Sequence, residues 1–299
     1  MKKLNGYFLL MKPTIMMLVL LTGATSLVLE KSLLLRPLYF ALVLLGLLLT
    51  GGSANAFNMY FERHIDAKMT RTRYRRPLPL GMVTPAEALV FATMAGIAGV
   101  VIFAIFFNIA SALLALATIL FYSFFYTLIL KPSTPYNVVI GSAAGSMAPI
   151  IGWVAATGRI DIIPVILFSI VFFWSPPHFW ALALFKQDDY KEVGLPMLPV
   201  VRGEGETRFQ ILVYSFWVVA SSVLLLLAGA GPIYLVMAIS SGGFLIYKSY
   251  RMHSIGGNPS VTMAANNQMA LGFFKYSILY LFIVFLAAMV DSAFKSLLF

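Results

Sequence analysis

The sequence contains no cysteine and few charged residues. Because none of its 299 residues is cysteine, the chain cannot form disulfides, thiolate metal sites, iron–sulfur clusters or covalent c-type haem. This absence does not identify a compartment, since membrane proteins of many kinds lack cysteine. Charged residues make up only 11% of the chain and hydrophobic residues 61%, with a mean hydropathy of +0.91. Such an apolar composition exceeds that of a soluble domain and predicts an all-α polytopic membrane protein.

Apolar stretches of about 20 residues recur along the chain, and a helix of that length crosses a hydrocarbon core of about 30 Å. We predict one membrane domain, residues 1–299, with nine transmembrane helices. The predicted spans are 7–29, 33–54, 84–107, 110–130, 137–157, 161–184, 209–230, 231–250 and 270–290. The first span keeps Lys12 and Pro13 and lacks a small-residue cleavage site. It is therefore predicted to be a retained helix rather than a signal peptide.

The positive charges predict the orientation of these helices. With the N-terminus in the cytoplasm, all but four of the 21 lysine and arginine residues fall on the cytoplasmic side. The four exceptions are Lys31, Arg36, Arg159 and Lys295. Nine spans then place the C-terminus outside, in a plasma (inner) membrane. The net charge of +10 is mostly a topology signal that also attracts anionic lipids, so no nucleic-acid partner is expected.

An acidic motif ends the second predicted span. Asn58, Glu62 and Asp66 are spaced four residues apart, so a helix places them on one face. Two carboxylates on one face repel each other unless a cation lies between them, which favours oxygen ligands for a hard divalent ion. The alternative is an amphipathic helix end whose acids pair with Arg63 or Lys68.

A basic run follows this acidic motif directly. Its members are cations suited to phosphate, namely Lys68, Arg71, Arg73, Arg75 and Arg76. An acidic face that binds a metal ion, beside a loop that binds phosphate, would allow the protein to bind a diphosphate. The alternative is a plain cytoplasmic anchor, which many membrane proteins carry.

A second acidic cluster follows the sixth predicted span. Asp188, Asp189 and Glu192 would lie close together on a short helix within the loop 185–208. Both clusters end spans that run from outside to inside, four helices apart. This indicates a parallel internal duplication in which two acidic faces meet around one central cavity. The alternative for this second cluster is an ordinary solvated loop.

The chain has three histidines. His253 lies in a polar segment and is expected to be ordinary, and His64 lies on a different face from the neighbouring acids. His178 stands in WSPPHFW, between Trp174 and Trp180. An imidazole among aromatic rings could bind a haem iron or act as an acid or base. The alternative is a hydrogen-bonded packing residue.

Four segments, in order from residue 55 to residue 291, resemble the protoheme IX farnesyltransferases (haem O synthases) of the UbiA superfamily. The segments are NAFNMYFERHIDAKMTRTRYRRPLP, KPSTPYNVVIGSAAGSMAPIIGWVAATG, WSPPHFWALALFKQDDYKEVGLPMLPVVRGEGETR and FFKYSILYLFIVFLAAMVD. The resemblance implies a UbiA-type fold, with about nine helices around a central cavity open to the cytoplasm and laterally to lipid. It also implies Mg²⁺-dependent transfer of a farnesyl group from farnesyl diphosphate to a vinyl group of haem b. Addition of water then gives haem O for terminal oxidases.

The resemblance also implies roles for particular residues. The catalytic, metal-binding positions are Asn58, Glu62, Asp66, Asp188 and Asp189. Candidate diphosphate-binding cations are Arg63, Lys68, Arg71, Arg73, Lys131 and Lys186, and candidate haem-binding residues are His178, Trp174 and Trp180. Tyr122, Tyr126 or Trp174 could favour an allylic cation through their ring faces. The sequence departs from the family pattern at Met59, where many members carry aspartate, and at Glu62, where aspartate is usual.

The expected partners are farnesyl diphosphate, haem b, membrane lipids and a downstream haem-modifying enzyme that would receive an insoluble product. Three other functions remain open. The acceptor could be an aromatic acid or quinone precursor instead of haem. The two acidic faces could bind the cations of a transporter. His64 and His178 could be the axial ligands of a b-type cytochrome.

Overall fold

The structure is a computed structural model that describes residues 2–256, 258 and 260–298. Every regular element in this part of the chain is a helix. A membrane provides no water for exposed backbone groups, and a helix satisfies those groups within its own segment. The predicted all-α class is therefore confirmed.

The described residues form two compact units. Unit one comprises the described residues of 2–133, 147–160 and 192–195, and unit two comprises the described residues of 134–146, 161–191 and 196–298. The helices of unit one are α1 (Lys2–Leu10), α2 (Pro13–Glu30), α3 (Pro37–Phe61), α4 (Arg63–Lys68), α5 (Thr70–Arg73), α6 (Pro85–Phe106), α7 (Ile109–Leu120), a π-helix (Phe121–Leu130), α8 (Lys131–Ser133) and α10 (Ala148–Thr157). Those of unit two are α9 (Asn137–Gly145), α11 (Ile162–Phe185), α12 (Gln187–Glu192, of which the last residue is in unit one), α13 (Leu198–Val201), α14 (Gly203–Leu227), α15 (Pro232–Ile255) and α16 (Met263–Leu298).

Eight described helices are long and apolar enough to cross a membrane, judged by length and composition. They are Pro13–Glu30, Pro37–Phe61, Pro85–Phe106, Ile109–Ser133, Asn137–Thr157, Ile162–Phe185, Gly203–Leu227 and Met263–Lys295. The remaining predicted span, 231–250, is also helical from its second residue, because α15 begins at Pro232 and continues to Ile255. Serine and glycine at positions 240–243 interrupt its apolar run, and it falls outside the set of eight.

Two predicted spans are interrupted. The stretch 7–29 is divided between α1 and α2, because Lys12 adopts a left-handed backbone (φ 53°) and Pro13 cannot continue a helix that precedes it. The stretch 137–157 breaks between Gly145 and Ala148. The hydropathy of the sequence does not indicate either of these helix breaks.

Unit one is built around α3, which packs closely on α6. The backbones approach at Gly99, where an added Cβ would lie 3.0 Å from the backbone nitrogen of Thr50. Ser53 donates to the carbonyl oxygen of Ala92 at 2.7 Å, which adds a hydrogen bond between the two helices. Small residues and cross-helix hydrogen bonds are the usual means of joining helices without water. They hold α3 in place, and α3 carries Asn58, the first residue of the acidic motif, near its C-terminal end.

Unit two joins α11, α14, α15 and α16 through buried polar side chains. Ser222 and Tyr280 share a hydrogen bond of 2.7 Å between their hydroxyl groups, and Tyr234 donates to the Ser222 carbonyl oxygen at 2.9 Å. The Trp174 indole donates to the carbonyl oxygen of Ser277 at 2.6 Å. These bonds satisfy polar groups that would otherwise be costly to bury.

Candidate functional site

The first acidic motif lies where α3 passes into α4. The Glu62 amide donates to the Asn58 carbonyl at 2.9 Å, and the Asp66 amide donates to the Glu62 carbonyl at 2.8 Å. Because this i to i+4 pattern continues across the boundary, the three side chains lie on one face, as the spacing predicts. They are 2%, 4% and 2% exposed, respectively. Two buried carboxylates and a carboxamide therefore share a small region of unit one.

Three cations from distant parts of unit one contact these oxygens. Arg76 forms ion pairs with Asp66 and, at 3.3 Å, with Glu62. Lys131 forms an ion pair with Glu62, and the Lys12 ammonium donates to Asn58 Oδ1 at 2.8 Å. The acids thus do pair with cations, but not with the neighbours that the amphipathic alternative named. We refer to Lys12, Asn58, Glu62, Asp66, Arg76 and Lys131 as the acid–cation cluster.

Burial and charge set the protonation of this cluster. Burial by itself would raise the pKa of Glu62, but the positive charges of Lys131 and Arg76 outweigh it and lower that pKa to about 2. Burial raises the pKa of Asp66, against the opposing charge of Arg76. Burial, together with the charge of Arg76, holds the pKa of Lys12 well below its usual range. Glu62 is therefore ionised at neutral pH, whereas Lys12 loses its proton more readily than an exposed lysine.

A π-helix borders the cluster. It covers Phe121–Leu130, whereas the sequence predicts an ordinary helix to residue 130. The rings of Tyr122 and Tyr126 stack on it with centroids 5.3 Å apart and an interplanar angle of 18°. Tyr122 lies within electrostatic range of Arg76. Long π-helices are rare and π-turns concentrate at functional sites, so this segment is a candidate site wall.

The cationic side chains that are predicted to bind the diphosphate differ in their contacts and in their exposure. Lys131 contacts Glu62, as described, whereas Arg63 donates to the carbonyl oxygen of Tyr60 at 2.8 Å. Lys68 and Arg73 are exposed, and Arg73 lies over the ring of Tyr74. Arg71 is partly buried in unit one, and Lys186 is partly buried in unit two.

Sequence reasoning missed three members of this region. Lys12 entered only the arguments for topology and for a retained first helix, Arg76 was grouped with the phosphate-binding run, and Thr127 had no predicted role. Thr127 accepts a hydrogen bond from Asn58 Nδ2 at 3.2 Å. The only sequence signal was the position of Lys12 directly before Pro13. Because a proline often begins a helix, this position marks Lys12 as a helix boundary.

The second acidic motif lies on α12 in unit two. Asp188 is exposed, and Asp189 is partly buried. The Oδ2 atom of Asp189 is buried and has no hydrogen-bond partner among the described residues. Gln187 ties this helix to α13 by donating to the carbonyl oxygen of Pro199 at 2.9 Å. A buried carboxylate oxygen without a donor is costly, and a bound cation is one way to satisfy it.

The oxygen donors fit a hard divalent cation. Within the described residues, no three His, Cys, Asp or Glu side chains form a group that could hold a metal ion. The donor set of the first motif is instead two carboxylates and the Asn58 amide oxygen. Mg²⁺ is bound in proteins through one or two carboxylates together with waters and substrate phosphates, so this small set suits it.

His178 is packed on both faces. Its ring stacks on Trp174 and on Phe274, each with centroids 4.4 Å apart, and its Nδ1 atom shares a 2.8 Å hydrogen bond with the Ser277 hydroxyl. This is the arrangement of the packing alternative. Trp180 is 1% exposed and meets the ring of Tyr214 edge-on. The prediction that these residues bind haem stays a prediction. Because the Nδ1 atom of His178 is hydrogen-bonded to Ser277, only its Nε2 atom could bind a haem iron.

Known proteins resemble this chain over nearly its whole length. Residues 18–265 match the UbiA prenyltransferase family. A protoheme IX farnesyltransferase of Symbiobacterium thermophilum is 44% identical over 289 residues, covering 96% of this chain and 94% of that protein. The protoheme IX farnesyltransferase of Clavibacter sepedonicus is 43% identical over 291 residues, covering 97% of this chain and 93% of that protein.

Solved structures share the fold. A structure of a digeranylgeranylglyceryl phosphate synthase aligns with a TM-score of 0.76 at 23% identity, covering 98% of this chain and 99% of the other. A UbiA homologue from Archaeoglobus fulgidus, bound to DMAPP and Mg²⁺, aligns with a TM-score of 0.65 at 17% identity, covering 95% of this chain and 99% of the other. At these identities the likeness concerns the fold. With the family match and the close relatives, it shows that this chain belongs to the UbiA prenyltransferase family.

Proposed function

We propose that this chain transfers the farnesyl group of farnesyl diphosphate to a vinyl group of haem b, with addition of water, to make haem O. The buried acid–cation cluster is the observation that carries the reaction class, because it combines divalent-ion ligands with cations for a diphosphate. The acceptor rests on similarity to the relatives named protoheme IX farnesyltransferase, which extends over 96% of the chain in the Symbiobacterium protein.

Mg²⁺ is part of this proposal. Its candidate ligands are Asn58, Glu62 and Asp66, with Asp188 and Asp189 as further candidates. The unpaired Oδ2 atom of Asp189 supports the second pair. When bound, Mg²⁺ supplies positive charge that stabilises the departing diphosphate.

In this proposal, the three cations of the cluster also bind the diphosphate. In the structure, Arg76 and Lys131 contact the acid oxygens and Lys12 contacts the Asn58 amide oxygen. Once those oxygens serve the divalent ion, the same side chains are placed to donate to phosphate oxygens. Arg76 offers a planar fork for two oxygens, whereas the lysines offer compact charges. Arg63, Lys68, Arg71, Arg73 and Lys186 stay as predicted further contributors.

Carbon–oxygen cleavage in an allylic diphosphate leaves the electron pair on the diphosphate and a delocalised carbocation on the farnesyl chain. The protein must stabilise the first charge and keep water from the second. The stacked faces of Tyr122 and Tyr126 are electron-rich surfaces in the unit that carries the acid–cation cluster, which suits them to favour the cation. The vinyl electrons of haem then form the new carbon–carbon bond. Water adds to the resulting cation and loses a proton.

The protein is an integral membrane protein, as its family and its long apolar helices indicate. We further propose a cytoplasmic N-terminus, an external C-terminus and cytoplasmic active-site loops in the plasma (inner) membrane. The lysine and arginine distribution supports this orientation. Membrane lipids and a downstream haem-modifying enzyme remain proposed partners.

Purified protein in lipid vesicles, incubated with haem b, farnesyl diphosphate and Mg²⁺, tests the proposal by mass spectrometry. We expect a haem product heavier by a farnesyl group plus a hydroxyl group, since the added water loses a proton, and no product when EDTA is present. Glu62→Gln is the matched variant, because it keeps the side-chain shape and removes the charge. Prenylation of an aromatic acid instead of haem would refute the acceptor. No product with either acceptor would refute the reaction class.

A further inference from the structure

The amide of Asn58 is engaged at both ends. Its Oδ1 atom accepts from the Lys12 ammonium at 2.8 Å, and its Nδ2 atom donates to Thr127 Oγ1 at 3.2 Å. The Lys12 nitrogen donates to the amide oxygen, which leaves the amide nitrogen to donate to Thr127. The orientation of the Asn58 amide therefore follows from its partners.

Thr127 can only accept from Asn58, because its one hydroxyl proton is already used. That hydroxyl donates to the Tyr122 carbonyl oxygen at 2.8 Å. A threonine in an α-helix makes this type of bond to the carbonyl three or four residues before it, whereas here the partner is five residues before it. The π-helical winding thus sets the direction of the Thr127 hydroxyl.

We infer that Thr127 is a positioning residue of the proposed metal site, which orients Asn58 so that its Oδ1 atom faces the cation. This rests on the proposed function, in which Asn58 is a metal ligand. The chain of donors runs from Asn58 Nδ2 to Thr127 Oγ1 and on to the Tyr122 carbonyl oxygen. Thr127 is 6% exposed and Asn58 is 2% exposed, so water does not readily replace the hydroxyl.

Valine at position 127 would keep the shape of threonine and remove the acceptor. Asn58 Nδ2 would then be buried without a partner, and nothing on that side would oppose rotation of the amide. A rotated amide presents N–H donors to the cation in place of an oxygen. Loss of such outer contacts to a metal ligand typically weakens metal affinity about 10- to 100-fold.

The test measures Mn²⁺ binding, by electron paramagnetic resonance, to purified protein without haem or prenyl substrate. We expect Thr127→Val to weaken binding about 10- to 100-fold. Thr127→Ser keeps the hydroxyl and should restore near-normal affinity. Thr118→Val is the matched control, because Thr118 lies in the same span and, among the described residues, its hydroxyl bonds only the Leu114 carbonyl oxygen, at 2.7 Å. In turnover, Thr127→Val should raise the Mg²⁺ concentration needed for half-maximal rate more than it lowers kcat.

A Glu62→Gln variant in the same titration separates this inference from the proposed function. If Glu62→Gln weakens Mn²⁺ binding and Thr127→Val does not, Thr127 has no positioning role and the metal site stands. If Glu62→Gln binds as tightly as the unaltered protein, the metal site itself is refuted, and the inference with it. Equal losses in Thr127→Ser or Thr118→Val would indicate a helix-packing effect and would also overturn the inference.

Discussion

Replacing Arg76 by methionine tests the acid–cation cluster most directly. Arg76 pairs with both Asp66 and Glu62, and its side chain is 13% exposed. Methionine has a similar length and no charge, so the variant leaves Asp66 buried without its ion-pair partner. Removing one member of a buried ion pair typically costs about 3–5 kcal/mol. Lys131 still neutralises part of the charge through Glu62, so we expect a loss of about 3 kcal/mol in the free energy of unfolding.

The pH dependence of this loss has a definite sign. Without Arg76, burial and the charge of Glu62 both raise the pKa of Asp66 in the folded state above its unfolded value of about 3.9. A raised carboxyl pKa disfavours the folded state at pH values above the unfolded pKa. The destabilisation should therefore be complete at neutral pH and should shrink as the pH falls toward about 4.

The assay is denaturant unfolding of metal-free protein in mixed micelles, followed at several pH values. Arg75→Met is the matched control, because Arg75 is exposed and adjacent, and we expect it to change stability by less than about 0.5 kcal/mol. An Arg76→Met, Asp66→Asn double variant should recover most of the loss. Added Mg²⁺ should also reduce the loss if it binds the same oxygens. An Arg76→Met protein as stable as the Arg75→Met protein at neutral pH would refute the electrostatic reasoning.

Four further outcomes follow from the structure. Glu62→Gln should lower kcat about 10²- to 10³-fold in the haem prenylation assay, because it removes charge stabilisation, and full turnover would contradict its role. Since the pKa of Glu62 in the folded state is lowered to about 2, its contribution to the free energy of unfolding should be constant above about pH 5. That contribution should be lost progressively as the pH falls from about 5 toward 2, and unfolding curves from pH 7 to pH 3 check this. Ser277→Ala removes the hydrogen-bond partner of His178 and should cost about 1 kcal/mol in the free energy of unfolding, whereas an unchanged value would show that the bond adds nothing. Gly99→Leu should separate α3 from α6 at Thr50 and cost about 1–3 kcal/mol; unchanged thermal stability would contradict the close approach.

Eight of the nine predicted spans correspond to described helices that are long and apolar enough to cross a membrane, because a long apolar run carries that information by itself. It also predicted correctly that Asn58, Glu62 and Asp66 share a face, since that depends only on the helical repeat. The break at Lys12 was missed because mean hydropathy does not record backbone conformation.

The partners of the acidic motif lay beyond sequence reasoning for a different reason. Lys12 and Thr127 are 46 and 69 residues from Asn58, so only the tertiary fold brings them to it. The π-helix was also unpredictable, because FYSFFYTLIL is apolar and suits either winding. The direction of the Thr127 hydroxyl depends on that winding, and so the orientation of Asn58 does as well.

The acid–cation cluster has a consequence for how the protein is made. The two carboxylates pair with the Arg76 guanidinium and the Lys131 ammonium, and Lys12 donates to the neighbouring Asn58 amide oxygen. The nascent protein therefore carries its own counter-ions, and it can enter the bilayer and fold before any metal is available. In this it differs from small zinc domains, which stay unfolded until the metal binds. A chelator should accordingly stop turnover while leaving a folded protein, and activity should return when the divalent ion is restored.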